Sequence, residues 1–230
     1  MHAARDPFAD VPDPALYVPR DASDRALRDL LAAVERPERP ALLLAPPGHG
    51  KTLLLRLLAE RLPAPLRAVY VPNPVLTPAE LCTWTLGSLG SPPWPDPVAV
   101  VAAYAEHRAA AGGALVWLVD DAQLLPEETA RWLGHVLARS QGALRLVLAA
   151  IEDERGKTLD ALGPRVRIEA LAEPMERGET ASYVLERLVR GAVRSELRAR
   201  CKAALSEVHE AAGGIPREVS AACSALLARA

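Results

Sequence analysis

Between an apolar run, Ala41 to Ala45, and a leucine-rich stretch reaching about Leu62 lies the segment APPGHGKT, Ala45 to Thr52. No other part of the chain limits the fold so tightly. The apolar run is short enough to be a buried strand, and the leucines that follow predict a helix. A glycine-containing turn that ends in Lys-Thr between strand and helix turns backbone N–H groups inward as an anion nest. The helix N-terminus adds its partial positive charge. Gly48 and Gly50 allow that turn, the Lys51 ammonium reaches β- and γ-phosphates, and the Thr52 hydroxyl ligates Mg²⁺. Pro47, His49 and Leu53 complete the candidate cofactor-binding set, with the His49 side chain expected to face solvent. The first position of such a motif is usually glycine, and here it is Ala45. An alanine forced into a left-handed conformation costs about 1 kcal/mol. The plainer alternative, a Gly-Pro turn that happens to contain Lys-Thr, does not explain the strand and helix on either side.

A second signal is the run LVWLVDDAQ, Leu115 to Gln123. A hydrophobic strand ending in acidic residues is the partner a phosphate loop needs, because a carboxylate must hold the metal. Asp120 is that metal candidate. Asp121 stands where a Glu usually polarises the attacking water, and it is one methylene shorter. A misplacement of about 1 Å costs roughly a hundredfold in rate, so nucleotide binding is better supported than fast hydrolysis. The alternative is an acidic helix cap after a strand. A third signal is GGIPRE, Gly213 to Glu218, ahead of a final helix. Arg217 is placed to swing from a lid onto a γ-phosphate, the alternative being a surface arginine after a Gly-Pro turn.

The remaining pattern supplies the frame. Prolines at 7, 12, 14 and 19 predict an extended arm over residues 1–22. Ser23 is expected to cap a helix carrying Leu27, Leu30, Leu31 and Val34 on one face. Strands are predicted at Leu66 to Val71, Ala114 to Val119, Leu144 to Ala149 and Val166 to Ile168. Helices lie between them, one opened by a capping box at Thr77 and Glu80. Strands alternating with helices imply a parallel sheet covered on both faces. After Pro174 only helices follow, near 178–190, 195–211 and 217–229, which predicts a small helical lid over 173–230 beside a core over 23–172.

Composition narrows the rest. Of 230 residues, 50% are hydrophobic and 24% charged, which excludes wholesale disorder. A net charge of -2 gives no global drive toward nucleic acid or anionic membrane. Cys82, Cys201 and Cys223 form no metal-ligand pair and no disulfide framework, so a reducing, cytoplasmic setting is expected. The N-terminus shows no apolar signal region, and the apolar runs are too short to span a membrane.

Taken together, these stretches resemble the AAA+ ATPase domain of the ExeA/general secretion pathway protein A family over nearly the whole chain. The matching blocks are DPFADVPDPALY (Asp6 to Tyr17), VPNPVLTPAEL (Val71 to Leu81), DDAQL (Asp120 to Leu124), GPRV (Gly163 to Val166), YVLERL (Tyr183 to Leu188) and GIPR (Gly214 to Arg217). Transposition ATPases of the TniB and TnsC kind share much of this core. The resemblance implies an α/β P-loop NTPase fold of the AAA+ (ASCE) class, a three-layer αβα arrangement. Its five-stranded parallel sheet has order 5-1-4-3-2 and is followed by a helical lid. It implies ATP and Mg²⁺ as cofactors and a homo-oligomeric ring or filament with ATP between subunits. It also implies a protein partner of a secretion or membrane-associated assembly. Arg217 becomes the lid sensor, and Arg165 the arginine that reaches a neighbouring subunit's phosphate. Two departures weaken catalysis: Asp121 in place of Glu, and Ile151 where the family has a polar residue after the fourth strand. Ile151 cannot orient water, and Glu152 would have to shift register to substitute. The sequence also shows no transmembrane segment and no peptidoglycan-binding module, so the full secretion protein's membrane role is not carried over.

Two other readings compete. One is an ATP-binding switch or scaffold with little hydrolysis. The other is a DNA-bound transposition-type regulator, for which Arg187, Arg190, Arg194 and Arg198 would form a basic stripe. Glu186 and Glu196 interrupt that stripe, and a solvated helix face is the simpler account. Trp84, Trp117 and Trp132 are read as packing on the sheet, and Trp94 as an exposed loop residue.

Overall fold

The computed structural model describes residues 6–36, 39–151, 162, 167–171 and 173–228. Among the described residues five strands form one parallel sheet: β1 (Ala41–Leu44), β2 (Leu66–Val71), β3 (Ala114–Val119), β4 (Leu144–Ala150) and β5 (Arg167–Ala170). Their order is β2-β3-β4-β1-β5, the order 5-1-4-3-2 read from the opposite edge. Every position of β1 and β3 is buried, as expected of strands covered on both faces. Side chains alternate between two cores with a period of two. Leu42, Leu44, Leu115, Trp117 and Val119 face one core, where helices α3 (Pro78–Ser88), α4 (Pro97–Ala110) and α5 (Glu127–Arg139) pack. Ala41, Leu43, Val116 and Leu118 face the other, under α1 (Asp21–Glu35) and α2 (Lys51–Arg61). Each buried leucine contributes about 1.5–3 kcal/mol, so the helices are seated by area rather than by propensity.

This topology positions the site. β1 lies between β4 and β5, and β4 between β1 and β3, so the carboxyl ends of β1, β3 and β4 are neighbours. In open α/β sheets ligands bind in the crevice beyond those ends.

Among the described residues four helices follow the sheet: α6 (Arg177–Arg190), α7 (Ser195–Ala203), α8 (Leu205–Ala212) and α9 (Pro216–Ala228). Their cluster contains Met175, Tyr183, Val184, Leu188, Val208 and Val219, together with Phe8 and Val18 from the N-terminal segment. That segment therefore does more than cross the surface. It turns at residues 7–8, forms a short 3-10 helix at Pro14–Leu16 and buries Phe8 and Tyr17. Among the described residues no helix is long and apolar enough to cross a membrane.

Several local expectations are corrected. Ser23 does not cap α1: Arg20 holds the N-cap position with extended backbone and no side-chain cap, and Ser23 is buried inside the helix. Asp21 and Asp24 satisfy the helix dipole there instead. The single helix expected over 195–211 is two, because Ala204 leaves helical geometry while its N–H still reaches the carbonyls of Arg200 and Cys201. Trp84 is 44% exposed rather than packed on the sheet, its indole N–H donating to the Tyr70 carbonyl on edge strand β2. Trp117 is fully buried against Trp132, with ring centroids 6.1 Å apart. The Thr77–Glu80 capping box forms as read.

The last helix is seated by one close approach. Gly214 has φ +72°, its carbonyl accepts from the Met175 N–H at 2.8 Å, and a Cβ there would lie 2.1 Å from the Met175 carbonyl oxygen. Gly214→Ala combines left-handed strain with backbone overlap, and we expect it to lower unfolding free energy by about 2–4 kcal/mol in urea titrations. A loss below about 1 kcal/mol would show that the Met175 contact gives way freely.

Candidate functional site

The turn after β1 has the conformation its glycines allow. Gly48 and Gly50 are left-handed, at φ 82° and 92°, and Gly50 caps the start of α2. Ala45 is not among the left-handed residues; it extends β1 and donates its N–H to the Ala150 carbonyl, so alanine at that position carries no strain. On Gly48, a Cβ would meet Ile215 and Arg217 side-chain atoms at 3.1 Å, whereas at Gly50 nothing lies within 4 Å. The loop is thus closed toward α9 at one glycine and open at the other.

Lys51 is only 8% exposed, and its ammonium donates to the carbonyls of Ala45 at 2.8 Å and Pro46 at 3.1 Å. Burial lowers its pKa; Asp121 and Asp120 oppose that shift, and Arg217 adds to it. Groups from the loop, the end of β3 and the start of α9 therefore share one electrostatic environment. His49 departs from expectation: it is 6% exposed, with Nδ1 paired to the Pro47 carbonyl at 3.1 Å. The tight turn folds the ring back on its own backbone instead of releasing it to water. Pro47, Thr52 and Leu53 line the same cleft.

Asp120, 3% exposed, ends β3. Its N–H donates to the Val71 carbonyl at 3.0 Å. Its Oδ1 accepts from the Asp121 N–H at 3.1 Å and its Oδ2 from the Tyr70 hydroxyl at 2.9 Å. Asp121 is left-handed, at φ 45°, a conformation a short polar side chain tolerates. Its Oδ1 accepts from Gln123 Nε2 at 3.2 Å, and Gln123 Oε1 in turn accepts from the Ile151 N–H at 3.3 Å. Gln123 so ties the second acid to the end of β4. The sequence pattern marks neither Tyr70 nor Gln123 as a site residue. Gln123 lies inside the DDAQL block, a signal that points to it, whereas nothing in the strand pattern marks Tyr70.

Arg217 sits in the first turn of α9, its N–H donating to the Gly48 carbonyl at 3.2 Å and its guanidinium 3.6 Å from Asp10 Oδ1. Lys51, Asp121, Ile151 and Arg217 line one cleft of about 900 Å³, with Tyr17 and Tyr183 on its walls. Arg165 and Glu152 lie outside the described residues. The basic stripe does not form as read. Arg187 is 6% exposed, bonded to Tyr183 and Ser220 and stacked over Phe8. Arg190 pairs with Glu186, and Gly191 ends the helix.

The residues fit a magnesium–triphosphate group by their chemistry. Mg²⁺ prefers one or two protein oxygens completed by phosphates and water. Thr52, which lines the cleft, and Asp120, buried with each carboxylate oxygen accepting one hydrogen bond, offer such oxygens.

Solved structures with this fold include the Aeropyrum pernix ORC2 protein in its ADPNP-ADP complexes (15% identity, TM-score 0.62, 96% of this chain and 71% of that one). Others are Cdc6p from Pyrobaculum aerophilum (18%, 0.65, 94% and 62%) and the Aeropyrum pernix ORC1 protein in complex with DNA (17%, 0.65, 100% and 65%). At such identities the likeness concerns the fold. General secretion pathway protein A from Aeromonas hydrophila is 28% identical over 234 residues, covering 96% of this chain. The chain spans 42% of that relative's length. A family model described as an AAA domain matches residues 34–157, from the last turn of α1 to beyond the end of β4. That is more than half of the sequence, and the protein belongs to the AAA domain family.

Proposed function

We propose that the chain is an ATPase of the general secretion pathway protein A type that binds ATP with Mg²⁺ in this cleft. One observation carries the reading: an open anion nest, a buried lysine, the Asp121 carboxylate and a lid arginine line a single cavity, with Asp120 buried next to Asp121 at the end of β3. The amides from Gly48 to Leu53 and the N-terminus of α2 hold the phosphates. Pro47 and His49 shape the turn. The Lys51 ammonium exchanges its two backbone carbonyls for phosphate oxygen, and Arg217 exchanges Asp10 for the terminal phosphate. Thr52 and Asp120 hold the metal, which when bound neutralises charge on the β- and γ-oxygens. Residues 23–172 then act as the nucleotide core, 173–230 as its lid and 1–22 as its arm. That the ORC2 fold relative is described with ADPNP and ADP supports a nucleotide in a cleft of this kind.

Turnover is slow in this reading. Asp121 is the candidate to align water, but it is one methylene short and held by Gln123. Ile151 brings no polar group to the end of β4. Arg165 is assigned from sequence as the arginine that reaches a neighbour's phosphate, a contribution worth on the order of thousands-fold in turnover. Hydrolysis is thereby linked to a homo-oligomer that forms with ATP and recruits a protein partner. The DNA-bound reading loses support with the burial of Arg187.

Calorimetry should detect ATP binding in the presence of Mg²⁺, with affinity falling at least about a hundredfold in Lys51→Ala; no heat from the parent protein would overturn the proposal. Single-turnover hydrolysis at high protein concentration should speed up about tenfold or more in Asp121→Glu. An unchanged rate would reject the short carboxylate as the cause of slowness. The mass in solution should rise with ATP and Mg²⁺ in the parent but not in Lys51→Ala, whereas a constant mass would exclude nucleotide-driven assembly.

A further inference from the structure

Resting on the nucleotide reading above, we infer that Tyr70 is a positioning residue that fixes the Asp120 carboxylate for the metal. Tyr70 is the penultimate residue of β2, in register with Leu118 of β3. It packs with the core under α2, the side to which Val116 and Leu118 also point, and by strand alternation Asp120 follows them. Its hydroxyl donates to Asp120 Oδ2 at 2.9 Å, while Oδ1 accepts from the Asp121 N–H at 3.1 Å. Each carboxylate oxygen is thus anchored once. Each keeps further acceptor capacity for a metal-bound water.

The phenol is itself held. Arg56 lies over the Tyr70 ring, 5.5 Å from its centroid, and donates to the Pro12 carbonyl at 3.0 Å. Thr52 and Arg56 are four residues apart on α2, hence on one face of the helix. The face that presents the candidate metal hydroxyl therefore also presents the guanidinium that clamps the tyrosine. Partners that orient a metal-binding side chain without touching the metal govern its affinity. Tyr70 stands in that relation to Asp120.

Tyr70→Phe keeps the ring beneath Arg56 and removes the hydroxyl, which donates to Asp120 and also meets the Arg56 side chain. We expect ATP binding in EDTA to change by less than about twofold, while the Mg²⁺ concentration giving half-maximal tightening of ATP rises about tenfold. In an Asp120→Asn background the same substitution should add no further shift, since the hydroxyl acts through the carboxylate. A Mg²⁺ dependence identical to the parent's would overturn the inference and leave the nucleotide reading standing. So would a shift that persists undiminished in Asp120→Asn. A parent protein that binds no ATP in either condition would overturn both.

Discussion

A lysine ammonium withdrawn from water costs several kcal/mol unless oxygen atoms surround it. Lys51 answers that demand with two carbonyls of the turn that carries it, from Ala45 and Pro46. The consequence reaches beyond one side chain. Two neutral carbonyls hold the cation in place but bring it no charge, and among the described residues Asp121 and Asp120 act on it without forming an ion pair. The site is therefore cationic in the turn, anionic at the end of β3 and open between them. Such an arrangement suits an anion that brings its own divalent cation, because each half of that ligand meets its opposite.

The sheet makes this separation rigid. β3 and β1 are divided by β4, so the strand ends that carry the acids and the turn are held two strand spacings apart, about 9–10 Å between their axes. Parallel strands buried on both faces leave no slack for register slip. The position of Asp120 is further set by its N–H bond to the Val71 carbonyl of β2. The geometry of the site is inherited from the ladder, and Arg217 and the N-terminal segment are added at its rim.

Much of this was legible in the sequence, for reasons tied to particular residues. β1 and β3 are uninterrupted apolar runs because both their faces are covered, and Gly48 and Gly50 could be read because left-handed backbone leaves a compositional mark. What could not be read depends on partners distant in the chain. Arg187 looks like one member of a surface stripe, yet Phe8, Tyr183 and Ser220 enclose it, and helical periodicity cannot reveal an arm that returns from residue 8. His49 carries a polar side chain whose acceptor is two residues away in a turn of unusual shape. Ser23 has the chemistry of a cap but lies two residues inside the helix, since Arg20 already takes the cap position and is itself engaged with Glu173 and Glu179.

Arg20, Phe8 and Asp10 give the N-terminal segment a mechanical meaning. Phe8 is buried among the helices that follow the sheet, Arg20 joins the start of α1 to Glu173 and Glu179, and Asp10 faces Arg217. The Asp10–Arg217 pair is exposed on both sides and 3.6 Å apart, so it stabilises little and is readily exchanged. The Arg20 and Phe8 contacts are buried and are not. A triphosphate competing for Arg217 would then break the weak contact while the strong ones hold, turning the arginine without detaching the segment from the helices. The Arg217 N–H bond to the Gly48 carbonyl keeps the pivot beside the turn throughout. Sensing in such a cleft needs only a side-chain swing about a fixed backbone point, and the fold already supplies that point.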